Sequence, residues 1–134
     1  MSVKLIYIAG PYRAADRQAI ARNIAAAREI AVHAAAEGWF PVCPHLNTAH
    51  MEEELPYPDE YWLAGTMLLM EKCAAVVLVP GWRNSAGTLA EVARAKQLGI
   101  PVFTNHRFLI AADEFHPAPT HPKAPAQAEE ATCQ

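Results

Sequence analysis

The strongest constraint in this sequence is its punctuation. Five of the six glycines, Gly10, Gly38, Gly81, Gly87 and Gly99, fall where one hydrophobic pattern stops and another starts. Val3 to Ala9 is rich in β-branched and aromatic residues and reads as a buried strand, ended by Gly10-Pro11. From Asp16 to Glu37, the residues Ile20, Ile24, Ala27, Ala31 and Ala34 recur at three- and four-residue steps. That is the stripe of an amphipathic helix, and Gly38 stops it. Trp39 to Cys43 reads as a second strand. A loop with Pro44, Pro56 and Pro58 follows, then a helix from Asp59 to Lys72 with Asp59 expected as its N-cap. Ala74 to Val79 is a continuous apolar run, the mark of a strand covered on both faces. After a loop from Gly81 to Gly87, a third helix starts at Ser85 or Thr88 and runs to Leu98, and Pro101 to Thr104 is a fourth strand.

Strands and helices that alternate in this way pack as a mainly parallel sheet. The expected class is α/β, Rossmann-like or flavodoxin-like, with four or five strands and helices on both faces. A chain of 134 residues is enough for one core. The expected domain is 1–115. From His116 the composition turns to Pro, Ala, Gln and Glu, so 116–134 is expected to be a disordered tail.

The formal charge of −3 gives no pull toward a nucleic-acid polymer or an anionic membrane. No run approaches the roughly 20 apolar residues of a membrane span, and no signal peptide is recognisable, so a cytoplasmic location is expected. Cys43, Cys73 and Cys133 are too widely spaced for a zinc motif or a disulfide framework, and read as buried free thiols.

In open α/β sheets, ligands bind beyond the carboxyl ends of the strands. Two loops at that edge carry chemistry. The first is Ala9-Gly10-Pro11-Tyr12-Arg13. Gly10 lets backbone approach a ligand, and Arg13 is a cation suited to phosphate. An ordinary turn with a solvated Arg fits equally. Neither GxGxxG nor the P-loop pattern is present. The second loop runs from Pro80 to Glu91. Ser85, Gly87 and Thr88 can form an anion cradle at a helix N-terminus. Glu91 then points at the same edge, as a nucleophile or a base. Thr88-Leu89-Ala90-Glu91 also matches a capping box, in which Glu91 only caps backbone. Trp82 can stack on a base or simply pack. Trp62, Met67, Leu68 and Leu69 read as core of the second helix. His45 and His50, with Glu52, Glu53 and Glu54, lack the spacing of a metal site and read as a solvated loop. No metal or cofactor is expected.

Taken in order, Tyr7-Ile8-Ala9-Gly10-Pro11-Tyr12-Arg13, Pro44-His45, Val77-Leu78-Val79-Pro80-Gly81-Trp82 and Ser85-Ala86-Gly87-Thr88-Leu89-Ala90-Glu91 resemble the nucleoside 2-deoxyribosyltransferase-like superfamily. Within it the chain is most similar to the domain-of-unknown-function branch DUF4406. The resemblance spans about residues 3 to 104. It implies cleavage or transfer at the N-glycosidic bond of a (deoxy)nucleotide, a 5′-monophosphate. Glu91 matches the nucleophile that attacks the anomeric carbon, and Tyr7 the tyrosine that positions it. Arg13 matches an arginine that holds the 5′-phosphate. Ser85 matches a position that is Ser in phosphate-binding hydrolases and Asp in nucleoside-specific transferases. Pro11, Tyr12 and His45 fall in the matched motifs and are expected to line the substrate. The resemblance also implies a homodimer or higher homo-oligomer, with residues around Asn105 to Phe115 lent to a neighbour.

The chain departs from that pattern in two places. The superfamily's acidic residue in the second helix falls here on Thr66, and the Asp that often opens strand three is Ala74. Asp59 is the substitute expected to act as general acid, alongside its reading as an N-cap. Two other functions compete with the enzyme: a nucleotide- or nucleotide-sugar-binding module without catalysis, and an interaction subunit that uses the tail.

Overall fold

The computed structural model describes residues 3–117. The expected tail therefore lies outside the described residues except for His116 and Pro117, and so does Cys133. Four strands form among the described residues: β1 (Leu5–Ala9), β2 (Phe40–Val42), β3 (Ala75–Leu78) and β4 (Val102–Phe103). They make one all-parallel sheet in the order β2-β1-β3-β4. The helices are α1 (Arg17–Ala36), α2 (Pro44–Asn47), α3 (Asp59–Glu71) and α4 (Ala86–Gln97).

The pleat assigns the two faces of the sheet. Side chains alternate along a strand. Ile6 and Ile8 of β1, with Ala75, Val77 and Val79 on and after β3, pack with Ala27, Ile30, Ala31 and Ala34 of α1. Tyr7, Ala9, Val76 and Leu78 pack with Met70 of α3 and with Val92 and Ala95 of α4. The helices thus cover both faces, which is why β3 reads as an unbroken apolar run. Asp16 caps α1, its side chain accepting from the Ala19 N–H at 2.8 Å. At the other end Gly38 takes φ +91°, a conformation that suits only glycine well.

Several local expectations are corrected. Asp59 does not cap α3. Pro58 holds the cap position without a side-chain bond, and Asp59 is the first helical residue, its carboxylate spent on Arg13. Leu68 and Leu69 are not core: they are 65% and 41% exposed. Met70 is the residue of α3 that is fully buried, and two positions along a helix turn a side chain by about 200°. The proline-bearing loop is partly helical, because Pro44 at the first position of α2 is preset for a helix and Met51–Glu53 forms a 3₁₀ turn.

The segment after β4 folds onto its own chain. Leu109, Ala112 and Phe115 are buried in the α1-side core, and Phe115 packs on Trp39 at 5.1 Å between ring centroids. The Ala112 N–H donates to the Glu37 carbonyl at 2.9 Å, and Lys4 Nζ donates to the Ala112 carbonyl at 2.9 Å. Cys43 and Cys73 are buried free thiols. Among the described residues, no helix is long and apolar enough to cross a membrane.

Candidate active site

The chain runs from β1 outward to β2, then returns past β1 to place β3 on its other side. The loops leaving β1 and β3 therefore part in opposite directions and open a crevice at their carboxyl ends. A cavity of about 530 Å³ occupies that crevice, with Tyr7, Arg13, His45, Thr66, Ser85 and Glu91 among its lining residues. Its size is that of a small-molecule site.

Glu91 lies at the bottom, 6% exposed. The Tyr7 hydroxyl donates to Glu91 Oε2 at 2.5 Å, and Thr66 Oγ1 donates to the same oxygen at 3.0 Å. This resolves the capping-box alternative. The N-cap of α4 is Ser85, whose Oγ accepts from the Thr88 N–H at 3.1 Å. Glu91 is thus six positions beyond the cap, too deep in the helix to reach its free N–H groups. Burial raises the Glu91 pKa above the ordinary carboxylate range, while the Tyr7 and Thr66 hydrogen bonds pull it back. Burial first, then the Glu91 charge, pushes the Tyr7 phenol far up, so it remains a donor.

Both hydrogen bonds fall on Oε2, and Oε1 carries none among the described residues. Ser85 Oγ accepts from both the N–H and the hydroxyl of Thr88, the latter at 2.9 Å. Its own proton is left to give. Gly87 also lines the cavity, and a Cβ there would meet only ordinary contacts at 3.9 Å or more.

Gly10 in the β1 loop carries a packing constraint as well. Gly10 does line the cavity, but a Cβ on it would lie 2.5 Å from Val79 Cβ. Close packing on the end of β3 is what excludes a side chain. Gly10→Ala is expected to lower stability by about 1–3 kcal/mol, read as a fall in thermal midpoint. An unchanged midpoint would show that the turn can shift.

Pro11 and Tyr12 contribute backbone and ring. His45 Nε2 donates to the Pro11 carbonyl at 2.8 Å, which makes Nδ1 the bare nitrogen. Burial lowers the His45 pKa, against the Pro11 and Gly10 carbonyls, and keeps the ring neutral. The Tyr12 hydroxyl donates to Glu52 Oε1 at 2.8 Å and accepts from the His50 N–H at 2.7 Å. Arg13 Nη2 pairs with Asp59 Oδ1 at 2.6 Å at the half-open rim.

Trp82 is not part of the lining. Its ring packs beside the α3–α4 core, with the Arg83 guanidinium 4.4 Å from the ring centroid. His50, Glu52 and Glu53 place ligand atoms within 4.8 Å of one another. Arg17 already pairs with Glu53 at 2.9 Å, and Tyr12 holds Glu52. Sequence reasoning missed Glu52 and Trp62 as cavity residues. Glu52 was hidden in an acidic run, and Trp62 among core-like neighbours.

A family model matches residues 4–105, from the residue before β1 to the turn after β4. The chain belongs to DUF7768, a domain-of-unknown-function family. No curated protein matches it. Every lining residue of the cavity falls inside the DUF7768 match, so the crevice belongs to the domain itself and not to the region that follows.

Proposed function

We propose that this DUF7768 domain cleaves or transfers at the N-glycosidic bond of a (deoxy)nucleotide, a 5′-monophosphate, with Glu91 as nucleophile. The observation that carries this is the state of Glu91: buried, held through Oε2 by two hydroxyls, and unengaged at Oε1. The resemblance to nucleoside 2-deoxyribosyltransferase-like proteins supports the same roles for Tyr7 and Glu91.

The chemistry follows from that placement. Breaking the glycosidic bond builds positive charge on the anomeric carbon, which a nearby carboxylate stabilises and then traps. Glu91 Oε1 attacks that carbon, and water or a second base later displaces it. Ser85 Oγ–H and the free N–H groups of the α4 N-terminus meet a phosphate, with Arg13 opposite. The test is direct. The protein is incubated with 2′-deoxynucleoside 5′-monophosphates and with nucleosides, and released base is separated by chromatography. Release from the monophosphates is expected. No release from any nucleotide or nucleoside would leave binding without catalysis, the second reading, which Thr66 at the expected acid position favours.

Asp59 occupies the guanidinium that phosphate would use. The pair is exposed, so phosphate competes at a cost of no more than about 1 kcal/mol. Asp59→Asn is expected to tighten binding of 2-deoxyribose 5-phosphate up to about fivefold by calorimetry. Arg13→Ala is expected to weaken it by about tenfold or more. Equal affinity in both variants would remove phosphate from Arg13.

A further inference from the structure

Helix α3 is apolar on more sides than its own chain covers. Met70 packs with the sheet, and Leu63 and Thr66 line the cavity toward α4. The opposite side is apolar too. Tyr61, Ala64, Gly65 and Leu68 recur at three- and four-residue steps, and all four are exposed. Leu69 flanks them, and Tyr57, just before the helix, packs on Tyr61 at 4.3 Å between ring centroids. Lys72 ends the stripe, and no carboxylate falls on it. A helix that is hydrophobic on every side is ordinarily buried on every side. A single exposed leucine needs no explanation, but leucines and tyrosines gathered on one face mark a contact surface.

Gly65 adds a second observation. A Cβ there would meet nothing within 4 Å, so no described part of its own chain requires a glycine. It sits inside α3, where glycine costs about 1 kcal/mol against alanine. What glycine provides at such a place is room for another backbone to approach.

The stripe also matches itself. Reversed end to end about the point between Ala64 and Gly65, Tyr61 falls on Leu68, Ala64 on Gly65 and Tyr57 on Lys72. Large meets large toward both ends, and small meets small at the crossing. The Lys72 ammonium meets the Tyr57 ring, an attraction between a cation and a π face. Each pairing occurs twice about a two-fold axis, as an isologous interface requires. The charges agree with this direction. The first turn of α3 is acidic, with Asp59 and Glu60, and its end carries Lys72. Antiparallel packing sets each Lys72 near the other copy's acidic turn, whereas parallel packing sets like on like. We propose that a second copy of this chain covers this face, the two α3 helices lying antiparallel and crossing at Ala64 and Gly65. The inference stands apart from the glycosidic reading of the cavity. It places the second copy beside the cavity mouth, because Tyr61 touches Trp62 at 5.0 Å between ring centroids and Trp62 lines the cavity.

Sedimentation velocity of the full chain at micromolar concentration tests this. Wild type is expected to run as a dimer. Leu68→Glu puts an unpaired carboxylate into the covered face and is expected to weaken the dimer about 100-fold or more. Leu68 is exposed in the single chain, so the resulting monomer should keep the far-UV circular dichroism of wild type. A crosslink tests the geometry. Cys43 and Cys73 are buried, and every chain in this arm carries Cys133→Ser. Ala64→Cys is expected to form a disulfide between copies under mild oxidation, whereas Val32→Cys, exposed on α1, is expected to form none. A wild-type monomer overturns the proposal and gives the face to a partner other than this chain. A dimer that Leu68→Glu leaves intact overturns it as well, since another face then joins the copies. Loss of the dimer without the Ala64→Cys crosslink overturns the antiparallel crossing. If Leu68→Glu does not fold, the crosslink decides by itself.

Discussion

Glu91→Gln is expected to lower turnover of a deoxynucleoside monophosphate on the order of 10⁴-fold while nucleotide binding persists. Gln keeps the shape and can still accept from Tyr7 and Thr66, but it cannot form the glycosyl ester. The same change has a stability signature. Burial raises the Glu91 pKa in the folded chain. A group whose folded pKa is raised contributes stability that is full below its unfolded pKa and is lost as pH rises through the folded value. Gln has no such loss. The variant should therefore match wild type in mild acid and exceed it in thermal midpoint as pH rises toward neutrality. A difference that stays flat with pH would show that Glu91 is not held against ionisation. Turnover within tenfold of wild type would remove it as nucleophile.

Tyr7→Phe comes next in size. The phenol is 1% exposed and gives Glu91 Oε2 its shortest hydrogen bond. Phe fills the same space, so the α3–α4 core stays packed and the effect should fall on the site. Turnover is expected to drop about 100-fold. The sign of the pH effect follows from the bond. Tyr7 donates to the carboxylate and so lowers the Glu91 pKa. Removing it raises that pKa further, and the acid limb of the profile should move to higher pH. An acid limb that stays in place, with turnover unchanged, would reduce the Tyr7–Glu91 contact to packing.

These two residues also show how much was legible in one dimension. Tyr7 sits mid-strand in an apolar run, where a tyrosine reads as core, and it is core except for its hydroxyl. Glu91 sits in a pattern that a helix cap satisfies just as well. Excluding the cap needed the start of α4 to within three residues, which periodicity does not supply. Ser85 rather than Thr88 proved to be the cap. Leu68 and Leu69 were misread for a related reason: α3 is apolar nearly all round, so its pattern does not say which side meets the sheet.

The sequence by itself determined the alternation of strands and helices, the glycine boundaries and the two loops around Gly10 and Gly87. These are set by local forces: backbone freedom at glycine, strand and helix periodicity, and the burial of a doubly covered β3. Only the tertiary structure decided how those loops pack and which of their residues line the crevice. It gave Gly10, which lines the cavity, a packing requirement against Val79 and placed Trp82 outside the lining. It also brought Tyr7 and Thr66, 84 and 25 residues away from Glu91, onto one of its oxygen atoms. Contacts at that separation depend on the order of strands in the sheet and on the face each helix buries, and no local pattern encodes either.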